Sequence, residues 1–361
     1  MYLGLSIENS VVNAAILTDG GDFVWQDSVA LEQDKIASLL AVCSAITEQA
    51  NTAHPGLSEK IAVSTEGGFT SQPSPPDGLK CLIGTDLKSN LQASLGRPIA
   101  LASPGQALAL YESRFGVAKN CAVACSLYLD SHVFGGVTFG ETLWRGANRI
   151  VGAWGHMPLA WPVPHELDGR DCWCGRTGCI DCFLSLSGLE EEYYTITQTR
   201  LDIQAIAAAA DASDLVAANV LQVLDDRIGR TTATIINMFD PDVIILGGRL
   251  ANLDRLYQTV PRKWPGYLLV ERSDTKLLRA DPDAFTLAKG AACFAADPAA
   301  TGLYQLWQTS RRGSDQCSIP DTASGWVLHN DSLWHRDGDF FRIKNGVVQI
   351  GARLGRRVGN R

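Results

Sequence analysis

The sequence predicts an α/β protein of two similar lobes with a cleft between them. Three observations carry that expectation. Strand-like and helix-like segments alternate along most of the chain. A strand-rich set occurs twice, once at the N-terminus and again near residue 120. At 361 residues the chain also exceeds the usual size of one domain.

Each element follows from its local pattern. "YLGLSIENSVVNAAILTDGG" alternates apolar and polar residues and breaks at Gly20-Gly21, which predicts two hairpin strands. Residues near 34–52 carry helical periodicity, and "KIAVSTEGG" reads as the next strand. The second set begins at "NCAVACSLYLD" and runs through "HVFGGVTFGETLWRG". Helical segments fill roughly residues 183–238, "DPDVIILGGRL" is a buried strand leaving through glycines, and "AFTLAKGAACFA" is a closing helix packed through small residues. The expected division is an N-terminal lobe over 1–115, a C-terminal lobe over 116–298, and a linker with a small β appendage over 299–361. In the appendage, "WVLHNDSLWHRDGDFFRIKNGVVQIG" predicts three or four short strands, because Asp337-Gly338 and Asn345-Gly346 are two-residue hairpin signals. Such a meander buries too little alone and is expected to pack on the main body or a partner. His329, His335, Trp326 and Trp334 are read there as packing residues rather than a ligand patch.

Composition narrows the function classes. Hydrophobic residues at 46% and charged residues at 19% suit a folded enzyme-like chain and are too apolar for disorder. A formal charge of −8 argues against a surface built for nucleic-acid phosphates. No run of about eighteen apolar residues occurs, and "MYLGLSIENS" lacks the order of a secretory signal, so a cytoplasmic location is expected.

Ten cysteines without an export signal are read as reduced thiols. Cys43, Cys81, Cys121, Cys125 and Cys293 sit among apolar residues and are expected to be small core side chains. The stretch "CWCGRTGC" differs: Gly175 and Gly178 allow tight turns that aim several sulfurs at one centre, the geometry of tetrahedral zinc. Cys172, Cys174 and Cys179 supply three thiolates. His156, His165 and Cys182 are the candidates for a fourth ligand, and spacing alone does not choose among them.

Gly155-His156, then "CWCGRTGC", "TTATIINMFDPDVIILGGRL" and "LAKGAACFA", occur in an order that resembles the ROK family of sugar kinases and sugar-responsive repressors, over about residues 1–296. The resemblance implies an actin-like, ribonuclease H-like sugar-kinase fold of two lobes, a homodimer as partner arrangement, and one structural zinc on His156, Cys172, Cys174 and Cys179. It also implies that the second ring nitrogen of His156, together with Asp181, Gly67, Gly68 and Ser103, faces a sugar.

The same resemblance exposes departures. Active members open a helix with an Asn-Asp pair whose Asp is the catalytic base; here the pair is Ser103-Pro104, and proline accepts no proton. The first phosphate loop reads "SIENSVV", with Glu8 and Asn9 where glycines are usual and Ser10 after them. The second reads "DSHVFGG", with Asp130, His132 and Phe134 in place of glycines. Gly135, Gly136, Gly247 and Gly248 remain as remnants of the nucleotide loops. A family glutamate is replaced by Ala153, and Asp181 stands where a glutamate follows the last zinc cysteine. Glu66, Asp130 and Glu141 are the nearest spare carboxylates and are read as surface or hairpin residues.

The expectation is therefore a catalytically degenerate ROK-type protein that senses sugar or binds a partner. The alternative is an active hexose or N-acetylhexosamine kinase that uses ATP and Mg with unusual residues. A DNA-binding repressor ranks last, since the expected helix-turn-helix ahead of the first lobe is not read in the sequence.

Overall fold

The computed structural model describes residues 1–297 apart from Asn9, residues 70–74, Pro76, Asp77 and Asp168, together with the backbone of four strands between Trp326 and Ala352. The chain divides into two compact units, Met1–Gly302 and Leu303–Arg361.

The larger unit holds two five-stranded sheets of the same plan. In the first, β1 (Tyr2–Ile7), β2 (Val11–Leu17) and β3 (Phe23–Ala30) form an antiparallel meander. After helix α1 (Ile36–Ala53), strand β4 (Ile61–Ser64) joins parallel to β1. Helix α2 (Leu87–Leu95) then leads to β5 (Ile99–Ala102), parallel to β4, and helix α3 (Pro104–Arg114) follows. The order is β3-β2-β1-β4-β5. Helix α1 buries Leu39, Cys43, Ile46 and Ala50, whose three- and four-residue spacing makes one apolar face.

The second sheet repeats this arrangement. Strands β6 (Val123–Leu129), β7 (Val133–Phe139) and β8 (Thr142–Leu143) run antiparallel. The helices α4 (Asp181–Leu184), α5 (Leu186–Thr197), α6 (Ile203–Asp211) and α7 (Leu215–Phe239) intervene before β9 (Val243–Gly247), which lies parallel to β6. Helix α8 (Leu256–Thr259) and parallel strand β10 (Lys276–Arg279) complete the order β10-β9-β6-β7-β8. Helix α9 (Thr286–Ala296) then returns to the first sheet. It lies so close that a Cβ on Gly4 of β1 would fall 2.1 Å from the backbone nitrogen of Ala292, and glycine is what lets the two backbones touch.

Helix α3 reaches the second sheet by the same device. A Cβ on Gly105 would sit 2.2 Å from the nitrogen of Gly135, so Gly105 and Gly135 bring helix and strand backbones into contact. Its first turn is built from the departure seen in the sequence. Ser103 is the N-cap, accepting from Gln106 N; the Gln106 side chain accepts in return from Ser103 N, and Pro104 takes the first helical position. The Ser103-Pro104 pair is thus a complete helix start.

The smaller unit contains β11 (Trp326–His329), β12 (Ser332–His335), β13 (Asp339–Lys344) and β14 (Val347–Ala352), an antiparallel meander in sequence order. Lys344 pairs with Val347, so two residues join β13 to β14, as the Asn345-Gly346 signal requires. The hairpin residues themselves, the side chains of Trp326, His329, Trp334 and His335, and the expected packing of this meander lie outside the described residues.

Candidate metal centre and interlobe cleft

The metal site is assembled by short pairings within an irregular excursion between β8 and α4. Leu159 N donates to Gly178 O and Ile180 N donates to Met157 O, which draws the residue before this pairing, His156, against Cys179. Cys172 N donates to Arg176 O at 2.7 Å and Gly175 N donates to Cys172 O at 2.9 Å, folding the cysteine loop back on itself. Gly175 and Gly178 adopt φ of 84° and 71°, left-handed values that a side chain resists.

The result is one group of four donors, His156, Cys172, Cys174 and Cys179, with all ligand atoms within 4.8 Å of one another. Cys174 Sγ and Cys179 Sγ are 3.7 Å apart, and Cys172 Sγ lies 3.6 Å from His156 Nδ1. A tetrahedron with metal–sulfur bonds of about 2.3 Å has edges of about 3.8 Å, so the donor spacing suits a metal ion of that kind. The other two candidates point elsewhere: Cys182 Sγ faces the carbonyls of Arg170 and Asp171 at 3.6 and 3.7 Å, and His165 is exposed on a single 3-10 turn.

Two sets of contacts tie this loop to the lobe. Asp181 accepts from Val133 N at 2.6 Å, from Trp173 Nε1 at 2.8 Å, and pairs with His132 Nδ1 at 3.0 Å. Its carboxylate is therefore engaged with β7 and the cysteine loop. Trp173 stands edge-on to His156 with ring centres 4.5 Å apart. On the other side, buried Glu166 accepts from Arg227 Nε at 2.8 Å and from Arg230 Nη1 and Nη2 at 2.8 and 2.9 Å. Arg227 also pairs with Glu192, which Arg170 reaches as well. Burial alone would raise the Glu166 carboxyl, but the bonds from Arg230 and Arg227 hold it down to about 2. The sequence reading did not find this network. Its signal was the pair Arg227 and Arg230, three apart on a long helix that buries most of its apolar residues.

The interlobe cleft contains two adjoining cavities. The first, about 300 Å³, is lined by Glu8, Ser10, Glu66, Pro104, Asp130 and Arg249 among others. The second, about 290 Å³, is lined by Gly247, Gly248 and residues around β10 and the start of α9. Both share Glu8, Tyr128, Asp130, Arg249 and Leu287. Within that common wall, Arg249 N donates to Asp130 Oδ2 at 2.8 Å, and its guanidinium binds Asp130 Oδ1 at 2.7 and 3.0 Å. Glu8 accepts from Asn13 Nδ2 at 2.9 Å and from Ser6 Oγ at 3.1 Å. Burial raises the Glu8 carboxyl against those two bonds. Glu66 goes further: burial, reinforced by Asp130, Asp181 and Glu8 and opposed by His132, pushes it up to about 7. Glu66 and Asp130 thus belong to the cavity wall rather than to an outer surface, whereas Glu141 is exposed at the β7–β8 turn as expected.

The remaining sequence candidates are distributed as follows. Gly247 and Gly248 line the second cavity, and Gly248 has φ 82° with Leu129 O 2.3 Å from where a Cβ would be. Gly135 and Gly136 are buried in the contact of β7 with α3. Gly67 and Gly68 are buried beside α2; Gly67 exchanges hydrogen bonds with Thr65 Oγ1, and a Cβ on Gly68 would strike Leu87. Ser103 caps α3, and His156 and Asp181 lie at the metal loop rather than among the lining residues of either cavity. Cys43, Cys125 and Cys293 are buried, while Cys81 and Cys121 are half-buried. Among the described residues no single helix is long and apolar enough to cross a membrane.

Comparison with known proteins agrees with this architecture. The N-acetyl-D-glucosamine kinase of Yersinia pseudotuberculosis serotype O:1b (strain IP 31758) is 25% identical over 281 residues, 74% of this chain and 90% of that kinase. The crystal structure of the ROK hexokinase from Thermus thermophilus superposes with a TM-score of 0.71 at 23% identity, covering 82% of this chain and 97% of that one. A ROK family transcriptional regulator, a homologue of the E. coli MLC protein, superposes with a TM-score of 0.65 at 21% identity, over 82% of this chain and 77% of the regulator. The two mixed sheets are accordingly the actin-like fold of ROK sugar kinases. The model of the ROK family matches residues 9–297, from the first hairpin loop past the end of α9 and through the metal loop between them, and the chain belongs to the ROK family.

Proposed function

We propose that this chain binds a sugar between its lobes and does not transfer phosphate to it. The observation that carries this reading is the wall common to the two cavities. In a kinase of this architecture the nucleotide and the accepting sugar lie on either side of the point where phosphate passes, and catalysis there rests on positioning and on positive or amide groups around the phosphate. Here that place holds Glu8 and the Asp130–Arg249 pair. Two carboxylates oppose a polyphosphate, and the guanidinium that could attract one is already bound to Asp130. Pro104 at the family base position supplies no proton acceptor.

Zinc is the metal proposed for the four-donor cluster. Three thiolates and one imidazole complete a tetrahedral shell, which leaves no open coordination position and gives the ion a structural role. When bound, it would cross-link the cysteine loop to His156 and so hold the loop that contacts β7 through Asp181. A homodimer is proposed by family resemblance.

One observation favours the alternative of an active ATP- and Mg-dependent kinase: Glu66, raised to about 7, lines the same cavity as Pro104 and is the group that could replace the missing base. Calorimetry of hexoses, N-acetylhexosamines and Mg-ATP, each alone and combined, separates the readings. Sugar binding without ATP binding is expected. Tight ATP binding that strengthens with sugar would favour the kinase.

A further inference from the structure

The first cavity is acidic in a way that phosphate transfer does not explain. Among the described residues of its wall, Glu8, Glu66 and Asp130 are carboxylates and Arg249 is the one cation. Their states differ. Asp130 is satisfied by Arg249, and Glu8 by Ser6 and Asn13. Glu66 receives no hydrogen bond from the described residues; its surroundings act on it through burial and through the charges of His132, Asp130, Asp181 and Glu8. A carboxylate withdrawn into a cavity wall without a donor is costly unless something in the cavity supplies one.

The chemistry of the occupant can be narrowed. An anion is disfavoured by the carboxylates. A bare metal ion is disfavoured by spacing: among the described residues the only group of ligating atoms close enough to share an ion is the His156 cluster, so Glu8, Glu66 and Asp130 surround a space rather than a point. That space, about 300 Å³, is at the small end of ligand pockets and takes a single sugar ring. A small organic cation answers both the size and the charge.

We infer that the cleft selects a hexosamine with a free ammonium group, such as D-glucosamine, over N-acetylated or neutral hexoses, with Glu66 as the receptor of the ammonium. The inference rests on the sugar-binding reading above and adds the charge of the ligand. Neutral hexose hydroxyls can donate to Glu66 but bring no charge to offset Glu8 and Asp130. N-acetylation removes the cation and adds a carbonyl that the carboxylates repel. Because burial pushes Glu66 up to about 7, an ammonium beside it also favours its ionised form, so hexosamine binding at neutral pH releases protons.

The test is calorimetric titration of the full chain at neutral pH with D-glucosamine, N-acetyl-D-glucosamine and D-glucose, at low and high salt, and again with Glu66→Gln. Glucosamine is expected to bind at least about tenfold more tightly than either neutral sugar, with an affinity that falls at high salt while theirs does not. Glu66→Gln should abolish that preference, bringing glucosamine to the affinity that the same variant shows for the neutral sugars or below it. Should the variant fold poorly by thermal melting, the salt dependence and the proton release of the wild type, read in two buffers of different ionisation enthalpy, still decide the matter. Neutral sugars binding as tightly as glucosamine would overturn the inference while leaving sugar binding intact. No sugar binding at all would overturn the sugar-binding reading and this inference with it.

Discussion

The metal loop and the cleft wall are both built from polar side chains, yet they solve opposite problems. In the loop, four donors converge within 4.8 Å, and every neighbouring group, from the Asp181 hub to the Glu166–arginine network, fixes them in place. In the wall, carboxylates are spread around a cavity, Asp130 is paired with Arg249, and Glu66 receives no hydrogen bond among the described residues. The donor cluster is closed on itself and the cleft is not, so a change of side chain in the cleft wall need not disturb the cluster.

The largest expected effect breaks the loop. Cys179→Ala should remove the metal and destabilise the chain by more than about 4 kcal/mol, since a lost structural metal is among the few single changes of that size. Elemental analysis of the wild type should give close to one equivalent, and thermal melting of the variant should show the loss. Metal-free wild-type protein with an unchanged melt would contradict the assignment.

Next in size is the arginine network. Glu166→Gln leaves Arg227 and Arg230 buried without their shared carboxylate, which typically costs about 3–5 kcal/mol. The pH sign follows from the depressed carboxyl. Its stabilisation is present above the unfolded value near 4 and is lost as pH falls toward 2. Acid unfolding of the wild type should therefore carry a component in that window which the glutamine variant lacks.

Smaller effects belong to the wall. Arg249→Ala removes a guanidinium that is half exposed, so its ion pair with Asp130 should contribute no more than about 1 kcal/mol. Pro104→Asp places an acid at the first position of α3, where the helix dipole tolerates it, and stability should change by less than about 1 kcal/mol. On the proposed reading it should create no activity, because Glu8 and the Asp130–Arg249 pair still line both cavities. Sugar phosphate formed by Pro104→Asp alone would show that the wall is not the obstacle.

These two regions were also unequally legible in the sequence. The cysteine ligands lie within eight residues of one another with glycines at the required turns, so local spacing revealed them, and only the fourth ligand needed tertiary pairing to choose His156 over His165 and Cys182. The strands of the first hairpin, β4, β6, β7 and β9 were readable for the same reason of local pattern, whereas their order in the sheets was not. Asp130 and Arg249 meet across 119 residues because β6 and β9 pair in parallel, and no local rule announces that contact. Glu66 read as a surface carboxylate because its strand end alone does not say that the second lobe covers it. Ser103-Pro104 read as a lost base; the structure adds that the pair is a well-formed helix cap.

On the proposed reading the cleft wall prevents phosphoryl transfer. The most direct measurement is detection of sugar phosphate by mass spectrometry after incubating the metal-loaded chain with Mg-ATP and a panel of hexoses, hexosamines and N-acetylhexosamines. No sugar phosphate above a protein-free control is expected for any of them. Stoichiometric product from the wild type, abolished by Glu66→Gln, would contradict it and establish Glu66 as the base of an active kinase.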